Sequence, residues 1–411
     1  MAEVNTVDFL TYENIQDATA FYDSTFARGE HVIKLPDQNA YAVFSLGLCR
    51  DVLRRTDDFS SKLAPLFKGK RADDPEIVAI ASQGWPMETV MGQSDPPRHT
   101  HNRGLVNKAF QKGRVDKITI RIRERVNALI DGFIADGHCD LMAQFAVPLP
   151  IEIVGGELGL SHLPLGKVKA WTEALADRYT GIIDRDREIE CARLMVEAQQ
   201  ASLKEVLARR AKRHDDLLQD IVDASGDDAN PLTDSELISI IYLLMVGGFE
   251  TTASAIGAGM IRMLANPGSI ERAIADPSYL VGAVEEILRL ESPATAVWRI
   301  AARDTEIGGV PIPEGSAVMV RLSAANRDPA VFEDPNAFCP MRSGLNRHVA
   351  FGSGIHTCVA NQLARVEMKI AFEELFRRLK NIRLKDGFRP KYPHSVLLRG
   401  PHAVEIQFDA A

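Results

Sequence analysis

Apolar positions along this chain recur mostly at helical spacing. Residues 14–28 and 46–56 read as short helices, and helical periodicity dominates from His99 to about Ala224, broken at Pro148-Leu149-Pro150 and at Leu163-Pro164. Between the first two helices, His31 to Phe44 alternates apolar and polar residues around Pro36-Asp37-Gln38-Asn39, which predicts a hairpin. Residues 60–97 carry Pro65, Gly69, Gly84, Pro86, Gly92, Pro96 and Pro97 and predict a long irregular segment, a feature usually tied to function or mobility. The polar stretch Gly226–Pro231 predicts a loop, after which Thr233 and Glu236 form a capping box. The helix they open runs to about Ala265, before Pro267, a length of about 30 residues or ~50 Å. A helix of that length must cross the whole molecule, and its apolarity makes it central. Further helices are predicted at 268–275, 279–290 and 359–380, short strands around 304–321, and strands and turns over 391–409. No internal repeat or domain boundary is visible. The pattern predicts a mainly α protein with a minor β component, one domain over residues 1–411.

Composition narrows the class. The chain has 411 residues, 45% of them hydrophobic and 25% charged, enough to bury a large core and enclose a sizeable ligand. Its net charge of −8 carries no nucleic-acid footprint. Five cysteines, Cys49, Cys139, Cys191, Cys339 and Cys358, are scattered without CxxC spacing, which fits a reducing cytoplasm. Met1–Asn5 shows no basic leader, and no window is expected to span a bilayer, so no membrane association is expected.

Chemistry concentrates in two places. In Phe351-Gly352-Ser353-Gly354-Ile355-His356-Thr357-Cys358 a single cysteine ends a glycine-punctuated loop where a helix begins. Helix N–H groups favour a thiolate there, and a lone sulfur suits an axial bond to haem iron better than a zinc site. In Gly247-Gly248-Phe249-Glu250-Thr251-Thr252 two glycines weaken the long helix at its middle by about 1 kcal/mol each. Bare backbone at Gly247 and Gly248 lets a flat ligand lie close, Thr251 can bond a carbonyl one turn back and open the ladder, and a carboxylic acid beside an alcohol can relay protons. Elsewhere, Glu286-Ile287-Leu288-Arg289 sets a carboxylate and a guanidinium on one helical face. His99 and Arg103 lie about one turn apart and can both face carboxylates, whereas His99 and His101 do not share a helix face and so make no metal pair.

These motifs, in this order, resemble the cytochrome P450 family, in its soluble bacterial form. The resemblance implies the cytochrome P450 fold with the long central helix over haem b. It implies Cys358 as the iron ligand and Phe351 and Gly248 in contact with the cofactor, with His356, His99, Arg103 and Arg299 at its propionates. It implies Thr251 hydrogen-bonding the activated oxygen and Glu250 feeding protons. Glu286, Arg289 and Arg342 would form a buried structural triad through the meander Asn326-Arg327-Asp328-Pro329. Ala360 stands where the family usually has glycine, and its methyl is expected to press on the haem or the next helix. By position, Leu243, Val246, Ala294, Val297 and Leu397 would line a substrate pocket, segments 60–97 and 164–195 would shape it, and Arg178, Tyr179 or Thr180 could anchor a polar group.

The implied activity is a haem-thiolate monooxygenase that inserts one oxygen atom of O2 into a hydrophobic small molecule. With no Gly-x-Gly-x-x-Gly fingerprint for a fused reductase, electrons from NAD(P)H would arrive through ferredoxin reductase and ferredoxin. Lys108, Lys112, Arg114 and Arg365 would offer the ferredoxin a positive face. The alternative is a peroxide-driven haem-thiolate peroxygenase. Glu250 and Thr251 argue against it, because peroxide brings its own electrons and protons. A haem sensor without catalysis is the third class, and Thr251→Ala would separate it by failing to uncouple oxygen use from product.

Overall fold

The computed structural model of the chain describes residues 11–36, 38–63, 71, 73–110, 112–180, 183–393 and 395–410. Helix makes up 56% and strand 11%, which places the protein in the mainly α class with a minor β component. The chain divides into two compact units, one of Met1–Ser61, Ile122–Val147 and Thr251–Ala411, the other of Lys62–Arg121 and Pro148–Glu250.

Among the described residues, every strand lies in the first unit. Val32–Lys34 and Ala40–Val43 form the expected hairpin, with Val32 opposite Val43. Ala40–Val43 runs parallel to Ala317–Val320, which pairs on its other edge, antiparallel, with Val297–Ala301. Both faces of this sheet are covered. Tyr41, Val43, Val318 and Val320 pack with Leu46, Val52 and Phe332, while Ala40, Ala42, Ala317 and Met319 pack with Phe21, Tyr22 and Phe44. Burial on both faces explains why Ala40–Val43 and Ala317–Val320 read as continuous apolar runs rather than alternating ones. The helix Pro277–Glu291 starts where Asp276 accepts from the Ser278 N–H at 2.8 Å with proline in the first turn, and it buries a continuous stripe from Glu286 to Glu291.

The second unit is helical. Its long helices are Arg98–Ala109, Leu165–Thr180 and Arg185–Ala211, and Trp171 and Tyr242 are fully buried with the Tyr242 hydroxyl donating to the Trp171 carbonyl at 2.7 Å. The capping box is present: the Glu236 N–H donates to Thr233 Oγ1 at 3.2 Å and the Thr233 N–H to Glu236 Oε2 at 3.0 Å. Arg98 bridges Glu236 to Glu88, tying this cap to the segment before the Arg98–Ala109 helix.

Three expectations need correction. Segment 60–97 is not irregular throughout, since Pro75–Ala81 is a helix capped by Asp74, although 64–70 and 72 lie outside the described residues. Pro148–Pro150 begins a helix, Pro148–Glu157, where a break was expected, and a π turn at Met142–Ala146 precedes it. In both places proline sits in the first turn, where its missing N–H costs nothing. The third concerns hydropathy: the helix Asp234–Leu264 is long and apolar enough to cross a bilayer, but 67% of its most apolar window is buried in the protein, so core packing accounts for its composition.

Candidate active site

The cysteine loop is built by backbone constraints. Gly352 and Gly354 have φ of +74° and +75°, and a Cβ on Gly354 would stand 2.8 Å from the Leu53 carbonyl oxygen, so glycine is required there by conformation and by space. The Gly352 N–H donates to Val349 O at 2.8 Å, the Thr357 N–H to Gly354 O at 3.1 Å and the Cys358 N–H to Phe351 O at 2.9 Å. Asn361, at the start of the helix Asn361–Arg378, donates to the Cys358 carbonyl at 2.7 Å. Cys358 is partly exposed, three residues before the helix rather than at its cap. Ala360 takes the cap with φ of −92°, a conformation open to any residue, so its methyl causes no backbone strain. His356 Nε2 lies 3.0 Å from Ser61 Oγ, and Arg54 donates to Ser353 Oγ at 3.3 Å.

A brace around this loop escaped sequence reasoning. Glu285 accepts two hydrogen bonds from Arg365, at 2.5 and 3.0 Å, and lies 2.9 Å from His348 Nε2. The Arg365 guanidinium covers the Phe351 ring at 4.5 Å from its centroid. Burial would raise the Glu285 carboxyl, but His348 and Arg365 outweigh it and pull it down to about 2. The only sequence signal was the doublet Glu285-Glu286, whose two carboxylates point to different partners.

Glu286 and Arg289 are both fully buried and joined at 2.6 and 2.7 Å. Arg289 also donates to the carbonyls of Asn326 and Pro335, both at 2.7 Å, while Glu286 accepts from the Cys339 N–H at 3.0 Å and from Arg342 Nε at 3.3 Å. Removing one member of such a buried pair strands its partner, at about 3–5 kcal/mol. Arg299 sits buried in the strand Val297–Ala301, donating to Trp298 O at 2.7 Å. The segments of Ala294 and Leu397 are brought together, Ala294 bridging Leu398 and the Thr295 N–H donating to Leu397 O at 2.8 Å, whereas Val297 packs with a different core cluster from Leu397.

In the second unit, Leu243, Val246 and Gly247 lie on a partly accessible face of the long helix, and a Cβ on Gly248 would meet Val154 Cγ2 at 3.2 Å. The helix is α-helical at every residue from Asp234 to Leu264, through Thr251. The Glu250 carboxyl is pushed above the usual range, first by desolvation and then by Glu173 and Asp177, with Lys169 opposing. By area the residue is exposed. His99 is buried in the helix Arg98–Ala109, and Arg103 donates to Asn107 at 2.8 Å. The expected docking face loses two members. Arg114 is only 8% exposed and paired with Asp220 at 2.7 Å and Asp215 at 3.0 Å, and Arg365 belongs to the Glu285 brace. Lys108 is exposed, while the side chains of Lys112, Tyr179 and Thr180 lie outside the described residues.

The donor set decides what Cys358 can hold. Among the described residues, no group of three or more His, Cys, Asp or Glu side chains could bind a metal ion. Iron at Cys358 would therefore need its remaining ligands from a macrocycle, and the residues fit a haem. Burial keeps Cys49 and Cys139 as thiols, Cys139 pushed up to about 12. The family model described as Cytochrome P450 matches residues 185–408.

The chain belongs to the cytochrome P450 family. Cytochrome P450 107B1 of Saccharopolyspora erythraea is 39% identical over 77% of this chain and 76% of its own length. The 6-deoxyerythronolide B hydroxylase of the same organism is 36% identical over 83% and 84%. Among solved structures, a P450 CREJ bound to (4-ethylphenyl) dihydrogen phosphate aligns with a TM-score of 0.89 at 26% identity, covering 96% of this chain and 98% of that one. The myxobacterial P450 CYP267B1 with myristic acid aligns at 0.84 and 32% identity, covering 98% of both. This P450 is an oxidoreductase of the monooxygenase type, and its cofactor is haem b.

Proposed function

We propose that this P450 inserts one atom of O2 into a hydrophobic small molecule, with electrons passed from NAD(P)H by ferredoxin reductase and ferredoxin in the cytoplasm. The reading takes residues 1–411 as one P450 domain. The observation that carries it is the Cys358 loop, where a lone sulfur is fixed by the Cys358–Phe351 hydrogen bond and by the close approach of Gly354 to Leu53. When bound, the haem supplies oxygen activation. By the family resemblance Cys358 would hold its iron, Phe351 would pack against it, and His356 and Arg299 would neutralise its carboxylates; the motifs imply cofactor roles for Gly248 and for His99 and Arg103 as well. Thr251 Oγ1 and the Glu250 carboxyl hold and pass the protons that O–O cleavage needs. A raised Glu250 keeps its proton closer to neutral pH than an ordinary carboxyl does, as a donor should.

The substrate class rests on the pocket candidates Leu243, Val246, Ala294, Val297 and Leu397, all apolar, and on the relatives. Those include a vitamin D(3) 25-hydroxylase at 34% identity and a steroid C26-monooxygenase at 33%. The test is turnover of a Soret-shifting ligand under isotopically labelled dioxygen with ferredoxin, its reductase and NADH. One labelled oxygen per product is expected. Unlabelled product, or equal turnover with peroxide alone, contradicts the reading.

A further inference from the structure

The Cys358 peptide is held from both sides, and a single side chain reaches both holders. The Cys358 N–H donates to Phe351 O at 2.9 Å, and Asn361 Nδ2 donates to Cys358 O at 2.7 Å. Arg365 stands one turn beyond Asn361 on the helix Asn361–Arg378. Its Nη1 donates to Asn361 Oδ1 at 3.0 Å and to Asn361 O at 3.2 Å. Taking up Oδ1 turns the other end of the amide, the donor Nδ2, toward Cys358 O. The same guanidinium lies over the Phe351 ring, 4.5 Å from its centroid.

Arg365 is itself fixed in place. Its Nε and Nη2 donate as a fork to the two oxygens of Glu285, at 2.5 and 3.0 Å. Glu285 is anchored in turn by His348 Nε2 at 2.9 Å. His348 Nδ1 accepts from the Ala350 N–H at 3.2 Å, which leaves Nε2 to carry the proton given to Glu285. The His348 ring also touches the Phe351 ring, with centroids 6.2 Å apart. Each guanidinium nitrogen thus has an assigned partner, and its flat face covers the ring. Lysine supplies the same charge but not a fork, an amide contact and a planar face together.

We propose that Arg365 is a positioning residue for Cys358, acting through Asn361 and Phe351. The proposal rests on the reading of Cys358 as the haem ligand. Groups that orient a metal ligand typically change metal affinity or activity tenfold to a hundredfold when removed. In a haem protein, hydrogen bonding around the axial ligand is one of the levers on the iron.

The experiment follows the reduced, carbon monoxide-bound enzyme over time and reads the rate at which its red-shifted thiolate Soret band gives way to the band of haem without thiolate. Arg365→Leu is expected to convert at least about tenfold faster than the native enzyme. Arg365→Lys, which keeps the charge, is expected to convert at least threefold faster than native. Arg209→Gln serves as the control for lost stability, because it cuts buried ion pairs to Glu205 and Asp216 in the second unit. It should convert at the native rate. A native rate in Arg365→Leu overturns the proposal, as does full recovery in Arg365→Lys or a conversion in Arg209→Gln as fast as in Arg365→Leu. Should Arg365→Leu fold poorly, Arg365→Lys against Arg209→Gln decides by the same criteria. A native enzyme without the thiolate band overturns the Cys358 reading as well, whereas a native band with unchanged variants overturns this proposal alone.

Discussion

At the scale of single residues, the cysteine loop depends on a glycine as much as on its sulfur. Gly354 combines a φ of +75° with a Cβ position 2.8 Å from the Leu53 carbonyl, so alanine must both strain its own backbone and displace a neighbour's. Gly354→Ala is expected to cost about 1–3 kcal/mol and lower the haem-to-protein ratio of the purified enzyme. Unchanged haem content and melting temperature would show that the loop has slack the structure lacks. Glu250 is tested by a different readout. Glu250→Gln removes the proton but keeps the shape, and product formed per unit time is expected to fall by about a hundredfold while haem content stays constant. An unaltered rate would take Glu250 out of the proton path.

At the scale of elements, ionic bolts hold the helix Pro277–Glu291 to the segments around the cysteine loop. Glu285 reaches Arg365 and His348, and the neighbouring Glu286 reaches Arg289 and Arg342. Because Glu285 is held at about 2 in the folded protein, against about 4.3 in an unfolded chain, the folded state binds this proton less readily. Its contribution, about 3 kcal/mol, is full above about pH 4.5 and is lost as the pH falls toward 2. Glu285→Gln should lose about 2–3 kcal/mol at neutral pH and flatten the acid limb of stability in a denaturant titration at stepped pH. An acid limb identical to that of the unaltered protein would mean that the brace does not stabilise.

For the molecule as a whole, the legible parts of the sequence were those where local chemistry and tertiary structure agree. The capping box at Thr233 and Glu236, the hairpin around Pro36 and the order of helices at 268–275 and 279–290 all follow from residues close in the chain. Strands such as Phe59–Ser60 and His138–Asp140 escaped because their partners, Ile300–Ala301 and Glu405–Gln407, are hundreds of residues away or their runs too short to show a period. Proline misled at Pro148, where it opens a helix. Within the site, motif spacing pointed to Cys358, Glu286 and Arg289, whereas the Glu285 brace and the pairing of Arg114 and Arg365 needed coordinates, since a charged residue does not announce its partner. The account stands on sulfur ligation at Cys358. Its most direct test is the optical spectrum of the reduced enzyme under carbon monoxide, for the native protein and for Cys358→His. The native enzyme should show the strongly red-shifted Soret band of a thiolate-bound haem, and the variant should lose it while keeping haem. A native spectrum typical of nitrogen ligation, or a red-shifted band that survives in Cys358→His, would contradict the account.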